Sequence, residues 1–317
     1  MKKTLLALSA GGITLGAVPG LASAAVILPS DITVSAPAGS ATPRDDAGRL
    51  VYTDDVLLES LVFGGPSGTT LNAGSGAFSA ARSFEVLSGR GSVNAEFGDD
   101  DDDADGDPDP FTKSGNPGAD PETTDPAVQD PALLNAFNSL SLSEISDGED
   151  GSASFSIRVL FQNSLGFDDV GGDGLPDLVF FERGGNDIFD VQLITGRDAD
   201  GTPILSQSVR IDSAEFFDTG FDIDTTEIDN GQPMTVGGFD LDEFGLDSGE
   251  TAFGFELVKV LEEGDGSGAD LGGFFLAAED PEDFGDPLEP IPLPPAAALL
   301  VGGLGVLGLV ARRRRAG

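Results

Sequence analysis

The acidic stretch GDDDDDADGDPDPF has a spacing typical of a cation-binding loop. It follows the D-x-D-x-D-G opening of a calcium loop, in which alternate carboxylates offer hard oxygen ligands to a hard cation. The candidate ligands are Asp101, Asp103, Asp105 and Asp107. The twelfth position is Thr112, where an EF-hand needs a bidentate glutamate. Two interpretations remain open: a looser calcium-stabilised loop, or an acidic loop that is solvated and disordered.

A second group of candidate calcium ligands lies further along the chain, in the stretch DGLPDLVFFE. It consists of Asp173, Asp177 and Glu182. We expect calcium bound to the native chain to stabilise it, because a bound cation relieves repulsion between crowded carboxylates.

Catalysis is restricted by the residue types that the sequence lacks. The chain has no histidine and no cysteine, which excludes Ser-His and Cys-His pairs, His-ligated metal centres and disulfide bonds. Carboxylate pairs can hydrolyse glycosides, but a pair found among 56 acidic residues is not evidence of a site. Tryptophan is absent and Tyr52 is the one tyrosine, so few rings are suited to stacking on sugars. We therefore expect a protein without enzymatic activity.

The net charge limits the partners of the protein. The whole chain has a formal charge of −40. Without residues 1–24 and 296–317 it loses six of its 16 basic residues and no acid, which leaves a body of charge −46. Such a surface repels nucleic acid and anionic lipid and attracts cations.

The elements that would hold the candidate ligands are short β-strands. The stretch ASFSIRVLF alternates apolar and polar residues, and further runs follow between Gly-Asp, Asp-Gly and proline breaks. These runs are RLVYTDDVLLESLVF, SFEVL, SVNAEF, DLVFFE, FDVQLI, SVRI, TAFGFELVKVL and LGGFFLAA. The pattern predicts an all-β fold, a jelly-roll-like antiparallel β-sandwich over residues 26–278. An acidic loop rich in proline and glycine, residues 99–131, interrupts it, and one short helix is expected at Pro131–Leu142.

We expect one domain rather than two. The strands before the acidic loop are too few and too rich in glycine to bury a core of their own.

The N-terminal residues 1–24 are typical of a secretory signal peptide. Lys2 and Lys3 precede an apolar stretch, and Ala22-Ser23-Ala24 matches the cleavage signature of signal peptidase, with Ala22 and Ala24 as its small residues. The protein is therefore expected to be exported.

The C-terminal residues form a linker, 279–295, and an apolar segment with an arginine cluster, 296–317. Residues 296–311 would rise about 24 Å as a helix, which is short for a hydrocarbon core of about 30 Å but sufficient if the arginines snorkel. Arg312, Arg313, Arg314 and Arg315 favour the cytoplasmic side of the membrane. The segment predicts one transmembrane helix, with the body outside.

Pro292, Leu293 and Pro294, followed by this helix and the four arginines, resemble the VPLPA variant of PEP-CTERM sorting signals. The resemblance covers about the last thirty residues, and it departs from the pattern at Ile291 and at the inserted Pro295. It implies cleavage by an exosortase near the proline motif and release to, or attachment at, the cell surface. A permanent single-pass anchor is the alternative.

A second resemblance lies in the body. Asp173-Gly174, Asp177, Phe181-Glu182 and Gly268-Ala269-Asp270-Leu271 resemble a jelly-roll domain that recurs in exported PEP-CTERM-type proteins. Two functions are therefore expected to compete: a structural or adhesive surface protein tied to extracellular polysaccharide, and a calcium-dependent carbohydrate-binding module.

Overall fold

The computed structural model describes residues 22–23, 25–43, 49–53, 55–64, 68–73, 78–79, 81–96, 124–148, 154–166, 175–223, 231–247, 249–259, 270–277, 284–286 and 288. Many of the predicted site residues lie outside these ranges: Ala24, Asp101, Asp103, Asp105, Asp107, Asp173, Pro292, Leu293, Pro294, Arg312, Arg313, Arg314 and Arg315. In the ranges described, no helix has both the length and the apolar character needed to cross a membrane.

The described residues form twenty strands, one α-helix and two short 3-10 helices. The strands before the helix are β1 (Ala22–Ser23), β2 (Asp31–Ser35), β3 (Ala41–Pro43), β4 (Leu50–Tyr52), β5 (Leu57–Phe63), β6 (Thr69–Asn72), β7 (Phe78–Ser79), β8 (Ala81–Ser88) and β9 (Asn94–Glu96). The helix is α1 (Pro126–Asn138).

The strands after the helix are β10 (Ile145–Asp147), β11 (Phe155–Gly166), β12 (Leu178–Arg183), β13 (Ile188–Arg197), β14 (Pro203–Leu205), β15 (Val209–Asp212), β16 (Phe217–Ile223), β17 (Gln232–Phe239), β18 (Thr251–Lys259), β19 (Leu271–Ala277) and β20 (Phe284–Gly285). The 3-10 helices are Ser213–Glu215 and Leu241–Phe244. The described residues are all-β apart from α1 and the two 3-10 helices, and their sheets are antiparallel except at the pairs β1–β15 and β4–β16. The expectation of an all-β antiparallel fold is confirmed.

Sheet A has the strand order β1-β15-β13-β18-β11-β20. Its long central strands are β13, β18 and β11. The long strands β13 and β11 each have two partners besides β18: β14 and β15 pair with β13, and β8 and β20 pair with β11. The apolar residues of β11 alternate with polar ones, and Phe155, Ile157, Val159 and Phe161 are all buried, as the sequence predicts.

Sheet B has the order β3-β4-β16-β17-β12-β19-β10-β9, and β7 also pairs with β19. Strand β12 lies in its interior, and all six of its residues are buried. Burial on both faces explains why the apolar run LVFF at the start of β12 is continuous rather than alternating. The third sheet, sheet C, contains β2, β5 and β6.

Two apolar cores use opposite faces of sheet B. Leu178 and Phe180 of β12 pack in the first core with side chains of β11, β13 and β18 from sheet A. Val179 and Phe181 pack in the second core with side chains of β5 and β6 from sheet C. Successive residues of a strand point to opposite faces, so β12 contributes to both cores.

Several contacts join the residues before the acidic loop to the rest of the protein. Ile27 forms an antiparallel bridge with Gly238. Arg49 forms ion pairs with Asp218 and with the fully buried Asp222, both on β16. Together with the second core, these contacts connect the N-terminal strands directly to sheet B.

The helix differs from the prediction in its position. Asp125 caps it by accepting a hydrogen bond from Ala127 N at 3.0 Å, and Pro126 occupies the first turn, where its missing N–H costs nothing. The helix therefore includes residues 126–131, which the sequence assigned to the acidic loop, and ends before the predicted Leu142. Pro131 lies inside it.

Candidate functional site

The structure separates the two predicted calcium ligands that it describes, Asp177 and Glu182. Asp177 lies just before β12, where its Oδ2 accepts a hydrogen bond from Leu241 N at 2.9 Å. Glu182 is the fifth residue of β12. A strand rises about 3.3 Å per residue, so these residues lie about 17 Å apart and do not share one cation.

Glu182 instead belongs to a cluster of buried charged side chains, here called the charge cluster. Its members come from β10, β12, the turn after β12, β18 and the residue before β19. Each is at most 7% exposed: Asp147, Glu182, Arg183, Asp187, Lys259 and Asp270. With four carboxylates and two cationic groups, its formal charge is −2.

Strand pairing brings these residues together from distant parts of the sequence. Strand β12 pairs with β19, which places Asp270 beside the end of β12, and Arg183 N donates to Asp270 O at 2.9 Å. Strand β10 pairs with the other side of β19, and this pairing places Asp147 beside Arg183. Lys259 is the last residue of β18 in sheet A, so the cluster joins the two large sheets.

Ion pairs link opposite charges in the cluster. Arg183 Nη2 lies 2.9 Å from Asp147 Oδ1 and 3.3 Å from Asp270 Oδ2. Lys259 Nζ lies 2.8 Å from Asp187 Oδ1, and both side chains are 1% exposed. Breaking such a desolvated pair is costly because the remaining charge stays buried.

Glu182 is held by one of its two carboxylate oxygens. Its Oε2 accepts hydrogen bonds from Gly185 N at 2.6 Å and from Thr235 Oγ1 at 3.2 Å. Its Oε1 is buried, and no donor among the described residues hydrogen-bonds to it. A buried acceptor without a donor is costly unless a proton or a cation compensates it.

Burial and like charge make two of the acids weak. Burial raises the pKa of Glu182 well above its ordinary value. The charge of Asp187, a hydrogen bond between the carboxyl groups of Glu182 and Asp187, and the charge of Asp270 raise it further. Burial also raises the pKa of Asp270, and Arg183 only partly opposes this effect. Without a bound cation, the cluster therefore favours holding protons.

Among the residues that the structure describes, no three Asp or Glu side chains form a group that could hold a metal ion. A cation at the charge cluster would therefore need oxygens of other kinds besides carboxylates.

Sequence reasoning identified Glu182 alone of the six cluster residues as a candidate ligand. Asp147 and Asp187 occur among 56 acids and carry no distinguishing local pattern, and Asp270 was noted only as part of the resemblance to a jelly-roll domain. One signal was available: after removal of residues 1–24, Lys259 is one of two remaining lysines, and it lies in the largely apolar stretch TAFGFELVKVL. A lysine at such a position requires a buried partner.

Comparison of the chain with protein-family models, with curated proteins and with solved structures found no match.

Proposed function

We propose that this protein is an exported structural or adhesive protein of the cell surface or extracellular matrix, without catalytic activity and sorted by its C-terminal tail. One observation carries the proposal. Strand β20 pairs with β11, and Arg82 Nη2 donates to Leu288 O at 2.7 Å, so the chain still contacts the folded body at residue 288. Pro292 follows four residues later. The proline motif thus begins immediately beyond the folded body, and this position supports its recognition by an exosortase.

Two enzymes would process the chain in this proposal. Signal peptidase would cut after Ala24 and remove β1, while the bridge from Ile27 to Gly238 would remain in the mature chain. An exosortase would then cut near Pro292–Pro294. Residues 296–317 would hold the protein in the membrane only until that cut.

The composition of the body fits a role outside the cell. A charge of −46 favours cations and disfavours nucleic acid, and extracellular polysaccharide is the partner that we propose. The phenylalanines at Phe63, Phe137, Phe161, Phe180 and Phe255 are fully buried, and they serve the cores.

We further propose that sheets A and B form a jelly-roll-like sandwich. The support is the path of the chain: β11, β13 to β15 and β18 belong to sheet A, whereas β12, β16, β17 and β19 belong to sheet B. A chain that moves back and forth between two sheets that share a core is typical of this architecture.

A test of sorting compares the proline motif with a proline outside it. We expect the triple substitution Pro292→Ala, Leu293→Ala, Pro294→Ala to leave the protein in the inner membrane, because the exosortase no longer recognises it. Pro287→Ala is the matched control and should reach the surface like the wild type. Equal surface amounts of all three proteins, measured after cell fractionation, would contradict the proposal.

The second hypothesis, a calcium-dependent carbohydrate-binding module, predicts a different result. A glycan array probed with and without calcium would then show selective binding that needs the cation. The structural role that we propose predicts no such selectivity.

A further inference from the structure

The turn between β12 and β13 brings side-chain oxygens together around one glycine. A methyl group built on Gly184 would lie 2.5 Å from Asn186 Oδ1 and 3.5 Å from both Gln232 Oε1 and Glu182 Oε1. Three side-chain oxygens from two strands and a turn thus converge on one small space. We call this space the Gly184 cradle.

The backbone of the turn is built to keep the cradle open. Gly184 has φ +103° and Gly185 has φ +66°, a left-handed conformation that side chains other than glycine rarely adopt. Gly184 N donates to Pro233 O at 2.8 Å, which ties the turn to β17. Gly185 N holds Glu182 Oε2, so that Glu182 Oε1 remains on the cradle side.

The charges around the cradle are unbalanced. Glu182 is fully buried, its Oε1 receives no hydrogen bond from the described residues, and the carboxylates of Asp187 and Asp270 act on it electrostatically. The charge cluster has two more carboxylates than cationic groups. A divalent cation would replace the protons that the cluster otherwise favours, balance this difference and bind Glu182 Oε1.

We propose that the Gly184 cradle binds a calcium ion through Glu182, Asn186 and Gln232. Calcium accepts six to eight oxygen ligands at about 2.3–2.6 Å in flexible geometry, and it takes carboxylate, amide and water oxygens together. Magnesium demands a near-ideal octahedron and suits this irregular set less well. Asn186 is exposed and Glu182 is buried, so the ion enters from solvent on the Asn186 side and water completes its shell.

This site differs from both calcium sets predicted from the sequence. It uses Glu182 without Asp177, and it needs none of the residues of the acidic stretch GDDDDDADGDPDPF. The proposed site rests on the contacts around the turn and on the charge cluster, so it can fail or hold independently of export and sorting.

The test measures the increase in melting temperature that calcium produces in the full-length chain. Wild type is compared in calcium chloride and in sodium chloride of equal ionic strength, since salt alone also weakens repulsion. At a hundredfold excess over the dissociation constant, we expect calcium to raise the midpoint by about 5–10 °C more than sodium.

Two variants remove the site in different ways. Glu182→Gln keeps the shape of the side chain but removes its charge, and Gly184→Ala places a methyl group inside the cradle. The matched control is Gly39→Ala, because Gly39 has nearly the same φ, +101°, and a methyl group there meets nothing within 4 Å. We expect both site variants to lose most of the calcium-dependent increase, and the control to keep it.

A fourth variant separates this site from the acidic stretch. It combines four substitutions: Asp101→Asn, Asp103→Asn, Asp105→Asn and Asp107→Asn. We expect it to keep the calcium-dependent increase. The proposal is overturned if calcium acts no more strongly than sodium on wild type, or if Glu182→Gln keeps at least half of the increase. Glu182→Gln decides the matter if Gly184→Ala does not fold.

Discussion

Replacing Lys259 by methionine tests whether the charge cluster holds the two large sheets together. Lys259 and Asp187 are each 1% exposed, so the substitution leaves a desolvated carboxylate without this cationic partner. The formal charge of the cluster changes from −2 to −3. Loss of one member of a buried ion pair costs about 3–5 kcal/mol in the free energy of unfolding. For a body of this size that corresponds to a melting temperature lower by about 6–20 °C.

The assay is urea unfolding in calcium-free buffer, with Arg210→Met as the matched control. Arg210 pairs with Asp190 at 3.0 Å, but its side chain is 35% exposed, so its loss should cost at most about 1 kcal/mol. Equal costs for Lys259→Met and Arg210→Met would refute the reasoning, because burial would then add nothing to the pair.

A double-mutant cycle isolates the pair itself. Asp187→Asn removes the other charge, and the double variant with Lys259→Met removes both. We expect the double variant to be more stable than the sum of the single effects predicts, by about 0.5–3 kcal/mol. Strict additivity would mean that the two side chains do not stabilise each other.

Three further predictions concern the N-terminal part of the chain and the loss of stability at acid pH. Arg49→Met should lower the free energy of unfolding by about 2–4 kcal/mol, because Arg49 is paired with the fully buried Asp222; a loss below about 0.5 kcal/mol in urea unfolding would contradict this. Arg49 holds the pKa of Asp218 below its ordinary value of 3.8, so this pair stabilises the fold above that pH and the effect is lost as the pH falls further. Asp218→Asn should therefore lose slightly less stability than wild type between about pH 5 and pH 3, since the pair is exposed, and a steeper loss would count against it. A fragment ending near Gly98 should not melt cooperatively in calorimetry, because the second core needs sheet B; a sharp transition would indicate an independent domain.

Strands with a clear periodic pattern were predictable from the sequence. The alternation in β11 and the continuous apolar run of β12 predicted both strands to within a few residues. Strand β17 was missed because it contains Pro233, Gly237 and Gly238, which weaken any local preference for a strand. Those glycines make room for neighbours: a methyl group on Gly237 would lie 2.6 Å from the ring of Phe216.

The helix shows how one local signal can compete with another. Two Asp-Pro steps lie close to this helix, at Asp125-Pro126 and at Asp130-Pro131, and either can begin a helix. The first begins it, because that start lets Gln129 reach Arg90 O and Val93 O, both at 2.7 Å, beside β9.

The charge cluster could not be predicted from local patterns. Asp147 and Asp270 lie 123 residues apart, and the pairing of β19 with both β10 and β12 brings them to Arg183. The Gly184 cradle depends in the same way on Gln232, which arrives through the pairing of β12 with β17.

The most direct test of the proposed function is the intact mass of the chain recovered from outside the cell. The proposal predicts a species that begins at Ala25 and ends within residues 291–295, without Arg312 to Arg315. A chain that keeps residues 296–317 would instead indicate a permanent anchor, and a chain that keeps residues 1–24 would contradict export through a cleaved signal peptide.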